Sequence, residues 1–358
     1  MNKIKLIDLT IDKKGHYGIG ASACPFNKEY PLYLRITDID DNSYVANLPT
    51  CIDPNVYLDY ENYLLKTNDI VFARTGNSTG RNYFYNDKFK NVVFAGFLIK
   101  YALDPNKVVP KYVNYYCQSQ KYKATIDSLS NGSTRKNLNA NQFGEIEIPM
   151  YPSDVQQHIV DTIGSIDDLI EHKIKMLNKL DKFETYLYQK EGFNIDKFSL
   201  ADSIKFIKGK KPKSVTSIGA SYLTIDALEN GTFTFANDIN LIYCKETEIL
   251  MVMDGASSGK VYIGNEGIVG STLAKIETDI NPYYLYIYLK NNYENISGHN
   301  TGSAIPHTNK DIIFNLQISK NKFSNEFYNN LLNLRINLNK EIFKLKKEKN
   351  MYLQKFFD

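Results

Sequence analysis

The 358-residue sequence has no tryptophan, four cysteines and five histidines. Cys24, Cys51, Cys117 and Cys244 are scattered with no Cys-x-x-Cys pair, which argues against a zinc site and against a secreted disulfide scaffold. His16, His158, His172, His299 and His307 show no metal-ligand spacing. No apolar run reaches the roughly 18 residues of a membrane span. The N-terminal MNKIKLIDLTIDKKG lacks an apolar signal core, so the expected location is cytoplasmic. The net charge of +3 is too small to reveal a polyanion partner by itself, so any nucleic-acid surface must be sought in where the basic residues sit.

Catalytic signatures are missing too. There is no Gly-x-x-x-x-Gly-Lys-Ser/Thr phosphate loop, and Gly18-Ile19-Gly20 is too short for a dinucleotide loop. Asn281-Pro282-Tyr283-Tyr284 is close to the Asn-Pro-Pro-Tyr of adenine-N6 methyltransferases but lacks the second proline, and it also reads as the head of a helix. Glu171-His172-Lys173 offers a Glu-x-Lys pair in the middle of a helical stretch, where a solvated face is the simpler reading. No residue is assigned a catalytic or metal-binding role.

What is present is 43% hydrophobic and 23% charged residues, enough apolar material for two or three domains, with 27 tyrosines and 19 phenylalanines. The organising stretch is the middle. Val155, Ile159, Ile163, Ile166, Ile170, Ile174, Leu177, Leu180, Phe183 and Leu187 recur at steps of three or four, which predicts one long amphipathic helix from about Ser153 to Glu191. At 1.5 Å per residue such a helix runs to about 57 Å.

The sequence on either side repeats. Residues 31–39 (PLYLRITDI), 69–73 (DIVFA) and 92–103 read as strands, 110–128 as a helix with an aromatic face, and 144–149 (GEIEIP) as a strand leading into the long helix. After Gly192 the order returns with a basic loop at 205–213, SYLTIDAL at 221–228, EILMV at 248–252, a helix from PYYLYIYLKN at 282–291 and NLQIS at 315–319. TGNSTGRNYFY at 75–85 matches DGASSGKVYIG at 254–264 without a gap, pairing Gly76 with Gly255, Gly80 with Gly259 and Arg81 with Lys260. SNGSTRKNLN is matched by NTGSAIPHTN at 300–309. A second heptad-like helix follows through Phe327, Leu331, Leu334, Leu338, Ile342, Leu345, Tyr352 and Phe356.

The helices suit each other. Residues 151–192 hold eight acidic side chains against five lysines, and residues 321–358 hold eight basic ones against four acidic. Opposite charge beside two apolar seams favours pairing them with each other, and a two-fold duplication predicts the antiparallel direction. The expected fold class is α+β: two similar mixed α/β domains, pseudo-two-fold duplicated, separated by a long antiparallel helix pair. The expected boundaries are 1–150, 151–192, 193–320 and 321–358.

Loops after strands carry function on a rigid scaffold. Four of them, at 74–81, 131–137, 254–260 and 300–310, combine glycine, small hydroxyl side chains and a basic residue, and the lysine-rich 205–213 adds a fifth, answered near the start by Lys13 to Tyr17. Glycines let amides approach phosphates, while arginine and asparagine can read guanine and adenine edges. The candidate DNA-facing residues are Lys14, Tyr17, Arg74, Asn77, Ser78, Arg81, Arg135, Lys136, Lys208, Lys210, Lys211, Ser257, Ser258, Lys260, His307 and Asn309. A solvated turn is the alternative reading of each loop taken alone.

On the doubled DIVFARTGNSTG and EILMVMDGASSG, NGSTRKNLN and NTGSAIPHTN, and EIEIP and NLQIS segments, the chain resembles the specificity subunits of type I restriction–modification systems. The resemblance covers essentially the whole chain, in the order target-recognition domain, helical spacer, second target-recognition domain, second spacer. It implies that each domain reads one half of a bipartite site in double-stranded DNA and that the helices set the gap. It implies two methyltransferase subunits docked on the helices, here through Ile163, Ile166, Ile170, Leu177, Leu334, Leu338 and Leu345, and restriction subunits beyond them. S-adenosylmethionine, ATP and Mg²⁺ are then expected in the partners and no cofactor in this chain. NTGSAIPHTN departs from its counterpart in having no basic residue before Lys310 to match Arg135 or Lys136, so the two half-sites are expected to differ. The alternatives are a modification enzyme with its own methyltransferase activity, and a decoy that mimics DNA; a mimic should be strongly acidic, unlike this chain.

Overall fold

The computed structural model describes residues 2–130, 137–191, 197–231, 233–237, 240–302, 305–320 and 323–358. The chain divides into two compact units, Met1–Leu169 with Leu345–Asp358, and Ile170–Lys344. Both long helices contribute to both units.

In the first unit an antiparallel four-stranded sheet runs in the order His16–Tyr17, Leu98–Ala102, Asp69–Ala73, Asn82–Phe84. Every residue of Asp69–Ala73 is buried, as its continuous apolar character requires for a central strand covered on both faces. A second sheet orders Cys24–Pro25, Thr50–Cys51, Leu32–Leu34 and Val92–Phe94, with the last pair parallel. Lys3–Lys5 pairs antiparallel with Glu147–Pro149. The main core gathers Phe72, Tyr101, Tyr112, Tyr115, Tyr122 and Phe143 beneath Ile159 and Ile163 of the first long helix and Phe357 of the second.

The second unit repeats the first sheet strand for strand and varies the second, whose parallel pair is central instead of at the edge. Ile204–Lys208, Leu273–Thr278, Ile249–Val252 and Val261–Tyr262 form the antiparallel sheet. Thr234–Ala236, Ala220–Leu223, Gly267–Val269 and Tyr243–Cys244 form the second, again with one parallel pair. Lys197–Ser199 pairs with Gln317–Ser319.

Several local expectations are refined. Residues 31–39 split into the strand Leu32–Leu34 and the 3-10 turn Ile36–Asp38, and residues 92–103 split at a turn containing Gly96. The helix expected at 110–128 is two helices, Pro110–Tyr116 and Gln120–Ser130. The stretch 205–213, read as a basic loop, begins as strand, in which Ile204 and Phe206 turn inward while Lys205 between them stays in water.

The first long helix spans Ser153–Glu191 and the second Asn325–Phe357. In the first unit His158 packs edge-on against Phe356, and Asp167 meets Lys349 at 2.7 Å. In the second, Lys173 meets Glu341 at 2.6 Å, and Asp181 and Glu184 each meet Arg335 at 2.6 Å. Rising numbers on one helix meet falling numbers on the other, so the helices run antiparallel within each unit. Among the described residues no helix is long and apolar enough to cross a membrane.

Candidate nucleic-acid interface

Each unit builds the same loop. In the first, the loop after Asp69–Ala73 turns back so that Gly80 N donates to Ala73 O at 2.9 Å and Arg81 N to Ser78 O at 2.9 Å. In the second, Gly259 N donates to Val252 O at 2.9 Å and Lys260 N to Ser257 O at 3.0 Å. Gly80 and Gly259 sit at φ of +90° and +93°, and a Cβ on either would come within 2.7 Å of Ile126 or Ile296. Only glycine fits both the left-handed backbone and the close approach of the neighbouring helix.

A second segment docks against this loop in each unit. Thr75 bridges Asn137 and Leu138 N donates to Arg74 O at 2.9 Å; correspondingly Asp254 bridges His307 and Thr308 N donates to Met253 O at 2.8 Å. Asn139 and Asn309 then cap the helices Ala140–Gly144 and Lys310–Phe314 with their side chains. A third segment closes the site: Gly18 N donates to Leu98 O at 3.2 Å, and Gly209 N to Leu273 O at 2.9 Å. Tyr17, Arg74 and Asn137 thus occupy the places held in the second unit by Lys208, Met253 and His307.

The scaffold is shared but the side chains are not. In the first unit the Arg74 guanidinium lies over the Tyr17 ring, 5.0 Å from its centre. In the second, Asp254 holds Lys208 Nζ at 2.8 Å and His307 Nδ1 at 2.7 Å. Partial burial raises the Asp254 pKa, but the hydrogen bonds with Lys208 and His307 outweigh it and the carboxyl titrates below its ordinary range. The two interfaces therefore present different chemistry on equivalent loops.

The family specificity model matches residues 30–182 and 194–320, under the description type I restriction modification DNA specificity domain. The chain belongs to that family. Two specificity subunits of Methanocaldococcus jannaschii type I restriction enzymes are similar in part: MjaVIII is 30% identical over 172 residues, covering 44% of this chain and 40% of that one. MjaIX is 32% identical over 103 residues, covering 27% and 24%. The matched stretches thus span less than half of either relative. The crystal structure of the specificity subunit of a type I restriction–modification system from M. genitalium shares the fold, at 19% identity, a TM-score of 0.55 and coverage of 100% of this chain and 96% of that one.

Within these specificity domains the sequence candidates fall into three groups. Lys14, Tyr17, Asn77, Lys208, Lys210, Lys211 and His307 are exposed, and Arg74, Ser78, Ser257 and Lys260 are half-buried at the loop rims. Arg81 is held by Asp41 at 2.6 Å and by the Ile39 carbonyl, while Lys260 is held by Glu229 at 2.7 Å. Both carry their charge already partnered.

Two expectations are corrected. The Ser258 side chain is fully buried and donates to Gly255 O and Pro306 O, so it braces the loop and faces no DNA. The Asn309 carbonyl oxygen accepts from Asp311 N, which commits it to helix capping. Arg135 and Lys136 lie outside the described residues.

The helix positions assigned to partner docking need correction as well. Ile163, Ile166, Ile170 and Leu338 are buried in the chain's own packing, where they cannot meet a second molecule, and Leu177 and Leu345 are half-buried. Leu334 is 41% exposed. Other large apolar side chains on the helices face water: Leu169 in the first unit, Phe183, Tyr186 and Phe343 in the second. Periodicity locates the apolar positions but does not tell which of them the chain covers itself.

Sequence reasoning missed the Lys208–Asp254–His307 cluster and the acids Asp41 and Glu229. The one available signal was the gapless pairing that sets Asp254 against Thr75, placing a carboxylate in one loop only. The Asn-Pro-Tyr-Tyr run is a helix start: Asn281 Oδ1 accepts from Tyr283 N and Tyr284 N, and both tyrosine rings are buried. Among the described residues no three His, Cys, Asp or Glu side chains are grouped to hold a metal ion.

Proposed function

We propose that this chain is the sequence-specific DNA-recognition subunit of a type I restriction–modification complex, acting in the cytoplasm and without catalytic chemistry of its own. Each unit reads one half of a bipartite site in double-stranded DNA through its paired loops, and the antiparallel helices set the gap. The observation that carries this reading is the loop construction made twice, hydrogen bond for hydrogen bond, around unlike exposed side chains. A rigid frame with exchangeable tips is what two different half-sites require. Lys14, Lys210 and Lys211 are exposed and form no ion pair among the described residues, which suits phosphate contact.

Two methyltransferase subunits dock on the helices through exposed apolar side chains such as Leu169, Phe183, Tyr186 and Leu334, and restriction subunits join that assembly. S-adenosylmethionine, ATP and Mg²⁺ belong to those partners. The alternative, an intrinsic methyltransferase, is not favoured: the Asn281 run that came nearest to its motif starts a helix.

The test is to assemble the chain with its methyltransferase partner and measure binding to a library of duplexes, then map methylated adenines. Preference for one bipartite sequence is expected. Equal binding to all sequences at matched salt overturns the reading.

A further inference from the structure

We infer that Arg74 is a specificity-determining residue of the first unit and that it reads a guanine in the half-site contacted there, with Tyr17 as its positioning residue. The inference rests on the proposed DNA-reading function and adds the base class and the residue.

The first observation concerns charge. The described arginines are Arg35, Arg74, Arg81 and Arg335. Arg35 is paired with Asp38, Arg81 with Asp41, and Arg335 with Asp181 and Glu184. Among the described residues Arg74 alone of these has no carboxylate partner, and its Nε is buried with no hydrogen-bond partner. A guanidinium is an obligatory donor set, so leaving one unanswered is costly unless a ligand supplies the acceptors.

The second observation concerns rigidity. Arg74 is held on both sides of its backbone, its N donating to Phe97 O at 3.0 Å and its O accepting from Leu138 N at 2.9 Å. Its guanidinium lies over the Tyr17 ring. Tyr17 is itself fixed, through the pairing of His16–Tyr17 with Lys100 and Ile99 and through its hydroxyl, which accepts from Ala140 N at 3.1 Å. Contact with the ring covers one side of the guanidinium and leaves its terminal nitrogens for a ligand.

The third observation concerns the surroundings. Tyr17 is 43% exposed, and Phe97, whose carbonyl anchors Arg74, is 61% exposed. One oriented arginine beside an exposed aromatic ring suits a base edge, because guanine O6 and N7 present a planar acceptor pair to a fork of donors. A phosphate contact positions the protein but carries no sequence information, so the two are told apart by their effect on specificity. In the second unit Met253 replaces Arg74, and Lys208, in place of Tyr17, is neutralised by Asp254. Guanine reading of this kind is therefore confined to one half-site.

The experiment uses the full chain with its methyltransferase subunits and maps methylated adenines for the parent, Arg74→Ala, Arg74→Lys and Tyr17→Ala. The parent should require a guanine at one position of one half-site. Both Arg74 variants should lose that preference by roughly 5- to 150-fold, the range of a bidentate arginine–guanine pair, with the other half-site and the gap unchanged. Tyr17→Ala should weaken the same preference and no other. Arg74→Lys retains the charge, so a phosphate contact would leave it with parental specificity, and that outcome overturns the inference. So does a uniform loss of methylation across all sites in Arg74→Ala while the guanine requirement persists. A parent that methylates no bipartite site refutes the proposed function itself, and is distinguishable because no variant is needed to see it.

Discussion

Glu184 on the first long helix and Arg335 on the second form a buried ion pair, with Glu184 Oε1 2.6 Å from Arg335 Nη2 and 3.1 Å from its Nε. Glu184 is wholly buried, and Tyr283 and Lys290 also donate to it, so the pair ties both helices to the aromatic helix Pro282–Asn291. Burial alone would lower the Arg335 pKa, but Tyr286, Glu184 and Tyr283 around it hold it above its ordinary value, so the guanidinium stays charged throughout the accessible pH range.

Removing one partner should be severe. Glu184→Ala leaves Arg335 buried with only the half-exposed Asp181 to answer it, and a loss of about 3–5 kcal/mol is expected. The double change Glu184→Leu with Arg335→Leu should lose much less, because Asp181 and Lys290 still pair with each other. Urea unfolding midpoints of the parent, the single variant and the double variant check this; a double variant less stable than the single one contradicts it.

Backbone geometry makes a second expectation. Gly80→Ala and Gly259→Ala each force a side chain into positive φ and against a β-branched isoleucine on the adjoining helix. Each should cost about 2 kcal/mol, the cost of strained backbone with an added clash. Alanine at Gly20, where nothing lies within 4 Å of the added carbon, should change the thermal midpoint little.

The Asp254 carboxyl titrates below its ordinary range, so it binds fewer protons in the folded chain than in the unfolded one near that range. Its contribution is therefore fully present above the unfolded value of about 3.9 and fades as pH falls through the lower folded value. The stability difference between the parent and Asp254→Asn should be steady from pH 7 to about 5 as far as this group is concerned, then shrink below about pH 4. Tyrosine-monitored denaturation at each pH reads the difference; a gap that widens as pH falls below about 4 would contradict the assignment.

The proposed spacer role makes a fourth expectation. Insert seven residues after Leu169 and seven after Lys344, where the chain passes between its compact units. Two helical turns keep the apolar face and add about 10 Å to each helix, or about three base pairs of DNA. The methylated sites should keep both half-sites and gain a longer gap. Altered half-site bases would refute the spacer as a ruler.

Local information sufficed for the elements whose signal is local. Ser153–Glu191 was legible because a 3.6-residue period sustained over ten turns leaves no other conformation that gathers those apolar positions on one face. The duplication was legible because Gly80 and Gly259, with their neighbours, are demanded by backbone geometry that both copies must satisfy. The short strands were harder. Leu32–Leu34 is three residues long and lies parallel to Val92–Phe94, a partner some sixty residues away, so pairing and not propensity decides it.

The binding loops divide the same way. Their composition announced a polar, basic surface, but composition cannot say which charges are answered within the chain. Arg81 finds Asp41 and Lys260 finds Glu229 across gaps of 40 and 31 residues, while Arg74 finds only the face of Tyr17. Those outcomes are set by which side chains the fold brings within a few ångströms of one another, where Coulomb and hydrogen-bond energies become decisive. The long helix was determined by its own residues; which of its apolar side chains stay exposed, and which arginine is left without a carboxylate among the described residues, was decided only when the two copies folded.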